Sequence, residues 1–223
     1  MAYTFDDFFN CGQQITYDSQ IKILSYGCKN IDALMGRSLL LKGIIELYGE
    51  SGVGKTQMCM QIAIEYSHNN IINENKNRIL YVSTMRFPTK RLHQIIKKRY
   101  PDEYDAILNK ILIIDVKTIT EFFKIFKETE NLRKNAIDLI IIDSITPLFL
   151  DFVLEADNNQ LRTQNVSQMC YLLHKLNKSK MNGHQFKTGF GIICTNEIRA
   201  NVHNPSCEKF IPALGATWEN SVT

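Results

Sequence analysis

The run Gly49-Glu50-Ser51-Gly52-Val53-Gly54-Lys55-Thr56 leaves few folds open to the chain that carries it. It fits the pattern G-x-x-x-x-G-K-[ST] in full. At average residue usage a chain of 223 residues holds such a run by chance with a probability on the order of one in a hundred. The flanks sharpen the signal, because Ile44 to Tyr48 reads as a strand and Lys55 to about Ser67 as a helix. The three glycines let the backbone turn tightly and aim successive N–H groups at phosphate oxygens, and the following helix points its positive end at the same anion. In that arrangement Lys55 reaches the β- and γ-phosphates of a nucleoside triphosphate, and the Thr56 hydroxyl binds Mg2+. The alternative, a Gly-rich turn with an incidental lysine, leaves the flanking strand and helix unexplained.

Beyond the loop, short apolar runs alternate with amphipathic stretches. Strands are expected at Arg78 to Ser83, Ile111 to Val116, Leu139 to Ile142 and Phe190 to Cys194. Helices are expected at Thr89 to Arg99, at Thr120 to Lys134 and near Asn158 to Asn177, and the Asn-rich His68 to Asn77 reads as a loop. Such alternation requires right-handed crossovers and predicts an α/β fold of three layers, a P-loop NTPase core around a mostly parallel sheet. Its ligand site belongs at the carboxyl ends of the strands. The strand Leu139-Ile140-Ile141-Ile142 has no polar side and ends in Asp143, which is placed to orient Mg2+ or its water. Taken alone, Asp143 also reads as a cap of the next segment.

Composition narrows the class further. With 44% hydrophobic and 22% charged residues, the chain has the balance of a globular domain rather than of a disordered one. No uninterrupted apolar stretch reaches the roughly 18 residues of a membrane helix, so no membrane role is expected. The N-terminus carries Asp6 and Asp7 where a secretory signal carries base. Six cysteines at irregular spacing, with no Cys-x-x-Cys pair, read as free and mostly buried thiols and not as a zinc site. A net charge of +3 permits nucleic-acid binding without arguing for it.

Several runs together resemble the RecA-type strand-exchange recombinases. They are Leu24 to Leu34 before the loop, Gln57 directly after it, Phe87-Pro88-Thr89-Lys90-Arg91-Leu92, Asp143-Ser144, Cys194-Thr195-Asn196, and Pro212-Ala213-Leu214-Gly215 with Trp218. The Phe87 and Pro212 runs look most similar to one eukaryotic repair paralogue of that family. The resemblance covers Ile23 to the end and implies a RecA-like ATP-binding core at 23–223, with 1–22 as an extension or linker. It implies ATP and Mg2+ as cofactors, with Gly49 to Gln57 on the nucleotide and Thr56 and Asp143 on the metal. It also implies that Arg91 packs on the adenine; a surface helix arginine is the other reading of that residue. The segments Leu150 to Thr163 and Glu197 to Ile211 match the family's two DNA-facing loops, with Arg162, Arg199, His203 and Lys209 as candidate contacts to single-stranded DNA. Partners by resemblance are other recombinase paralogue subunits or the recombinase itself, and the location is the nucleus, with the cytoplasm as a further possibility.

The chain departs from the family's pattern in ways that carry chemistry. The catalytic glutamate expected after Thr84 is Met85, and a thioether cannot orient or deprotonate the attacking water. The sensor glutamine expected after Asn196 is Glu197, a carboxylate facing a phosphate. The first DNA loop holds Asp151, Glu155 and Asp157 against Arg162, a poor electrostatic footprint for phosphates. The family's small helical domain and the last strands of its sheet also fall outside this sequence, so a fragment, a truncated product or an obligate partner subunit is expected. The leading expectation is an ATP-binding subunit of a homologous-recombination repair complex, with weak or absent hydrolysis. An active DNA-dependent ATPase promoting strand exchange is the second. A small-molecule kinase or GTPase is disfavoured: Thr195-Asn196-Glu197-Ile198 is not the Asn-Lys-x-Asp motif of a GTPase, and no arginine cluster follows Asp143. A nucleotide-free scaffold is the fourth.

Overall fold

The fold is described by a computed structural model covering residues 23–35, 39–40, 43–149, 159–178, 180–182, 185–187, 189–200 and 210–222. In chain order the elements begin with β1 (Ile23–Leu24), α1 (Lys29–Leu34), β2 (Leu39–Leu40), β3 (Ile44–Tyr48) and α2 (Lys55–Ile72). Next come β4 (Arg78–Ser83), α3 (Thr89–Arg99), α4 (Tyr104–Lys110), β5 (Ile111–Asp115), α5 (Ile119–Lys127) and α6 (Thr129–Lys134). The chain continues with β6 (Ile137–Asp143), α7 (Asn159–Asn177), β7 (Lys180–Asn182), β8 (Gln185–Lys187) and β9 (Gly191–Asn196). The described chain closes with β10 (Ile198–Ala200), β11 (Phe210–Pro212) and α8 (Ala216–Glu219).

Five strands form one sheet in the order β3-β9-β6-β4-β5, and every pairing within it is parallel. Side chains alternate across each strand, so neighbouring residues serve opposite layers. Leu80, Val82, Ile140, Ile142, Ile192 and Cys194 face α5, α7 and α8 and join Phe122, Phe126, Leu173 and Trp218 in one core. Ile79, Tyr81, Leu139, Ile141 and Ile193 face the other way and pack on Cys59, Met60, Ile62 and Ala63 of α2 and on Leu92 and Ile96 of α3. This double burial explains why Leu139 to Ile142 of β6 are apolar on both sides. The expected three-layer RecA-like architecture is the one found.

The helix Tyr104–Lys110 and the short strands β7, β8, β10 and β11 are not among the elements expected from the sequence, and two expected elements have other limits. The Asn-rich stretch continues α2 as far as Ile72 instead of forming a loop. Ser67 and Asn70 are buried on the inner face of that helix, so packing overrides the loop preference of asparagine. The helix stops where Glu74 takes a left-handed φ of 52°. The stretch expected as one helix from Thr120 to Lys134 is two. The first opens on a capping box, with the Glu121 N–H donating to Thr118 Oγ1 at 3.2 Å and the Thr118 N–H to Glu121 Oε2 at 3.4 Å. It breaks at Glu128, whose ψ of 59° lies outside the helical range. No helix among the described residues is long and apolar enough to cross a membrane. Cys59, Cys170 and Cys194 are buried free thiols and Cys28 is a partly exposed one, while Cys11 and Cys207 lie outside the described residues, as do residues 1–22.

Candidate nucleotide site

The phosphate loop joins β3 to α2. Gly54 sits at a φ of 106°, a conformation that costs a side-chain-bearing residue strain, and there the chain turns into the helix. No side chain caps this N-terminus, so the first N–H groups of α2 remain free for an anion. The Lys55 ammonium folds back and donates to the carbonyl oxygens of Gly49 and Glu50, both at 2.8 Å. The loop is thus closed by its own lysine, and the cation waits at the mouth of the cradle.

The carboxyl ends of β4, β6 and β9 form the wall opposite the loop, as a parallel sheet requires. The parallel register sets Ser83 of β4 beside Asp143 of β6. Between loop and wall lies a cavity of about 460 Å³. On the loop side it is lined by Ser51, Gly52, Gly54, Lys55, Thr56 and Gln57, on the wall by Ser83, Met85, Arg86, Asp143, Ser144 and Glu197, and at the rim by Arg91. The volume suits a small phosphorylated ligand.

Asp143 is the best-fixed acid in this cavity. Its Oδ2 accepts from the Tyr81 hydroxyl at 2.7 Å, and its Oδ1 accepts from Thr195 Oγ1 at 2.7 Å. Burial, with the Asp143 carboxylate beside it, pushes the Tyr81 hydroxyl well above its usual range, so it stays a neutral donor. Thr84 Oγ1 donates to the Ser144 carbonyl at 2.7 Å and accepts from the Ser144 N–H at 3.1 Å, pinning the end of β6 to the end of β4. The peptide between Asp143 and Ser144 is cis. The Ser144 hydroxyl is buried without a hydrogen-bond partner, an open polar valence that a bound ligand or water would satisfy. A hard cation suits this donor set, with Thr56 and Asp143 as the residues that would hold Mg2+ through oxygen.

Arg91 extends over Gln57, whose Oε1 accepts from Arg91 Nη2 at 2.9 Å and from Nε at 3.2 Å. The structure therefore joins at the rim two residues that the sequence reading assigned to the nucleotide. Glu197 also lines the cavity, and its backbone is held from behind: its N–H donates to Thr146 Oγ1 at 3.0 Å and to Asn196 Oδ1 at 2.9 Å. Met85 stands 61% exposed in the same wall.

The candidate DNA contacts lie elsewhere. Arg162 is half-buried on α7, where its Nη2 donates to the Ala213 carbonyl at 3.1 Å. Burial and the nearby Arg199 charge lower its pKa. Arg199 itself is exposed on β10. His203 and Lys209, and residues 150–158 of the first loop, lie outside the described residues.

Sequence reasoning missed Glu46. This acid of β3 accepts from Asn196 Nδ2 at 2.7 Å and from the indole N–H of the fully buried Trp218. Asn196 in turn accepts from Thr146 Oγ1 at 2.6 Å. The available signal was a single charge inside the apolar run Ile44 to Tyr48.

A model of the Rad51 family matches residues 18–213. The DNA repair protein XRCC3 of Mus musculus is 27% identical over 233 aligned positions, which cover 94% of this chain and 64% of the mouse protein. The DNA repair and recombination protein RadB of Methanococcoides burtonii is 26% identical over 194 positions, covering 86% of this chain and 76% of its own. RadA of Aeropyrum pernix is 26% identical over 157 positions, covering 70% and 49%. The chain thus spans a little under two thirds of the mouse protein's length. That match agrees with the eukaryotic repair paralogue to which the Phe87 and Pro212 runs pointed.

Proposed function

The chain belongs to the Rad51 family, and from that we propose that it binds ATP with Mg2+ and works as a retaining subunit in recombination repair of DNA double-strand breaks. The observation that carries this reading is the contrast within one cavity. The phosphate loop, Lys55 and the doubly anchored Asp143 are all in place, while the wall position that needs a base for water holds Met85. In this reading Lys55 leaves the loop carbonyls for the β- and γ-phosphates and the α2 N-terminus cradles the phosphate oxygens. Thr56 and Asp143 hold the metal, and Mg2+ when bound neutralises phosphate charge. Arg91, positioned by Gln57, covers the base. The thioether of Met85, at the position where the family places its glutamate, cannot take the water's proton, so in this reading the nucleotide is held rather than consumed. Its role is then to order the chain for assembly with another recombinase paralogue or the recombinase, in the nucleus. The relatives named above, all DNA repair proteins, support that setting.

A DNA-dependent ATPase is the second reading, and the Glu197 carboxylate, unpartnered among the described residues in the same wall, favours it. Fluorescent ATP titration and phosphate release, with and without single-stranded DNA, separate the two. We expect saturable ATP binding that Lys55→Ala weakens at least about tenfold, since it removes a charge-assisted phosphate contact. Phosphate release should stay near the blank in both conditions. Release at recombinase-like rates that Lys55→Ala abolishes would favour the second reading. Co-purification from cells with ATP present or depleted tests the assembly role.

A further inference from the structure

Three basic residues line the cavity, and two of them are already engaged. Lys55 is held by the Gly49 and Glu50 carbonyls, and Arg91 by Gln57 and Gln94. Arg86 is exposed in the wall, and among the described residues its guanidinium has no hydrogen-bond or ion-pair partner. The two acids divide the same way. Both oxygens of Asp143 are taken by Tyr81 and Thr195, whereas the Glu197 carboxylate has no partner among the described residues. Ser144 lines the same cavity, while its hydroxyl is buried and without a hydrogen-bond partner.

The placement of these groups follows from strand order. The phosphate loop hangs from β3, and β4 and β6 lie on the far side of β9. A polyphosphate that starts at the N-terminus of α2 runs toward the β4 and β6 ends. There the Thr84 N–H is tied to the Asp143 carbonyl at 3.1 Å, and Arg86 follows two residues later. Arg86 and Glu197 both line the cavity wall on that side, opposite the phosphate loop. A carboxylate facing a terminal phosphate is repulsive, and a free guanidinium beside it is the group that offsets the repulsion.

We infer that Arg86 is a ligand of the terminal phosphate and that, set against Glu197, it makes the site discriminate a nucleoside triphosphate from a diphosphate. This rests on the nucleotide-binding reading above. It assigns a cation to the wall in which Met85 takes the place of the family's glutamate, so that wall still grips the phosphate.

The test is titration of fluorescent ATP and fluorescent ADP against the full chain and three variants: Arg86→Ala, Arg86→Lys and Glu197→Gln. We expect Arg86→Ala to weaken ATP about tenfold or more, the loss of one charge-assisted hydrogen bond, while ADP changes by less than about threefold. Arg86→Lys should recover part of the ATP affinity, and Glu197→Gln should tighten ATP more than ADP. Arg86 is exposed, so these substitutions leave the core intact, and circular dichroism of each variant checks this. Equal loss of ATP and ADP in Arg86→Ala, or no loss of either, overturns the inference and leaves nucleotide binding standing. If the unaltered chain binds neither nucleotide and Lys55→Ala changes nothing, the nucleotide reading itself fails and this inference falls with it.

Discussion

Behind the cavity, one carboxylate oxygen of Glu46 on β3 accepts from both Asn196 and Trp218. Two donors on one acceptor hold the sheet's phosphate-loop strand against the last helix. Trp218→Phe keeps most of the ring volume and removes one donor. We expect it to lower stability by about 1–3 kcal/mol, the cost of an acceptor left short of a partner, seen as a lower urea midpoint at unchanged slope. The phosphate loop and Asp143 were legible in the sequence because their residue types and spacing are dictated by phosphate and metal chemistry. Tyr81, Thr195 and Glu46 were not, because each acts on a residue far away in the chain. Nothing local to Tyr81 says that its hydroxyl, inside an apolar strand, will meet Asp143.

The helix after the phosphate loop is clasped at its middle. Gly27, in the segment before α1, accepts through its carbonyl from Arg99 Nη2 at 2.6 Å and from Gln61 Nε2 at 2.5 Å, and Arg99 Nη2 lies 2.9 Å from Glu65 Oε1. Three elements therefore meet on one glycine. Its φ of 71° suits a residue without a side chain, and a Cβ there would lie 2.5 Å from Glu65 Cγ and 2.8 Å from Gln61 Cγ. Gly27→Ala should cost about 1–3 kcal/mol in urea unfolding, the range of a residue forced into a sparsely allowed backbone conformation. A wild-type midpoint would show that the clasp yields freely. The strands at β3, β4 and β6 and the helix α3 were readable from pattern alone, within a residue or two. The length of α2 was not, because Ser67 and Asn70 look like loop residues and only the packing beneath them makes them helical. The pairs β7–β8 and β10–β11 left no periodic signal either, being three residues per strand.

Two cores on opposite faces share one sheet. Ile141 serves the face under α2 and Ile142 the face under α7, yet they are neighbours in β6 and both are fully buried. Each truncation to alanine should cost about 2–5 kcal/mol. Because the sheet belongs to both cores, each should shift one and the same cooperative transition, read by circular dichroism and by Trp218 fluorescence. Separate transitions would mean that the layers unfold independently. The alternation of strands and helices gave away the three layers, since parallel crossovers leave few other arrangements. The strand order was beyond local reading, because β3 finds β9 only through contacts that span most of the chain.

That span has a consequence for how the chain is born. The phosphate loop leaves the ribosome early, but the partners of its strand come late: Asn196 follows Glu46 by 150 residues and Trp218 by 172. At ordinary translation speeds that is a delay of roughly 10–30 s. Until then the Glu46 carboxylate keeps its water and β3 lacks its described neighbour β9, so the strand that carries the nucleotide cradle is made well before it is secured.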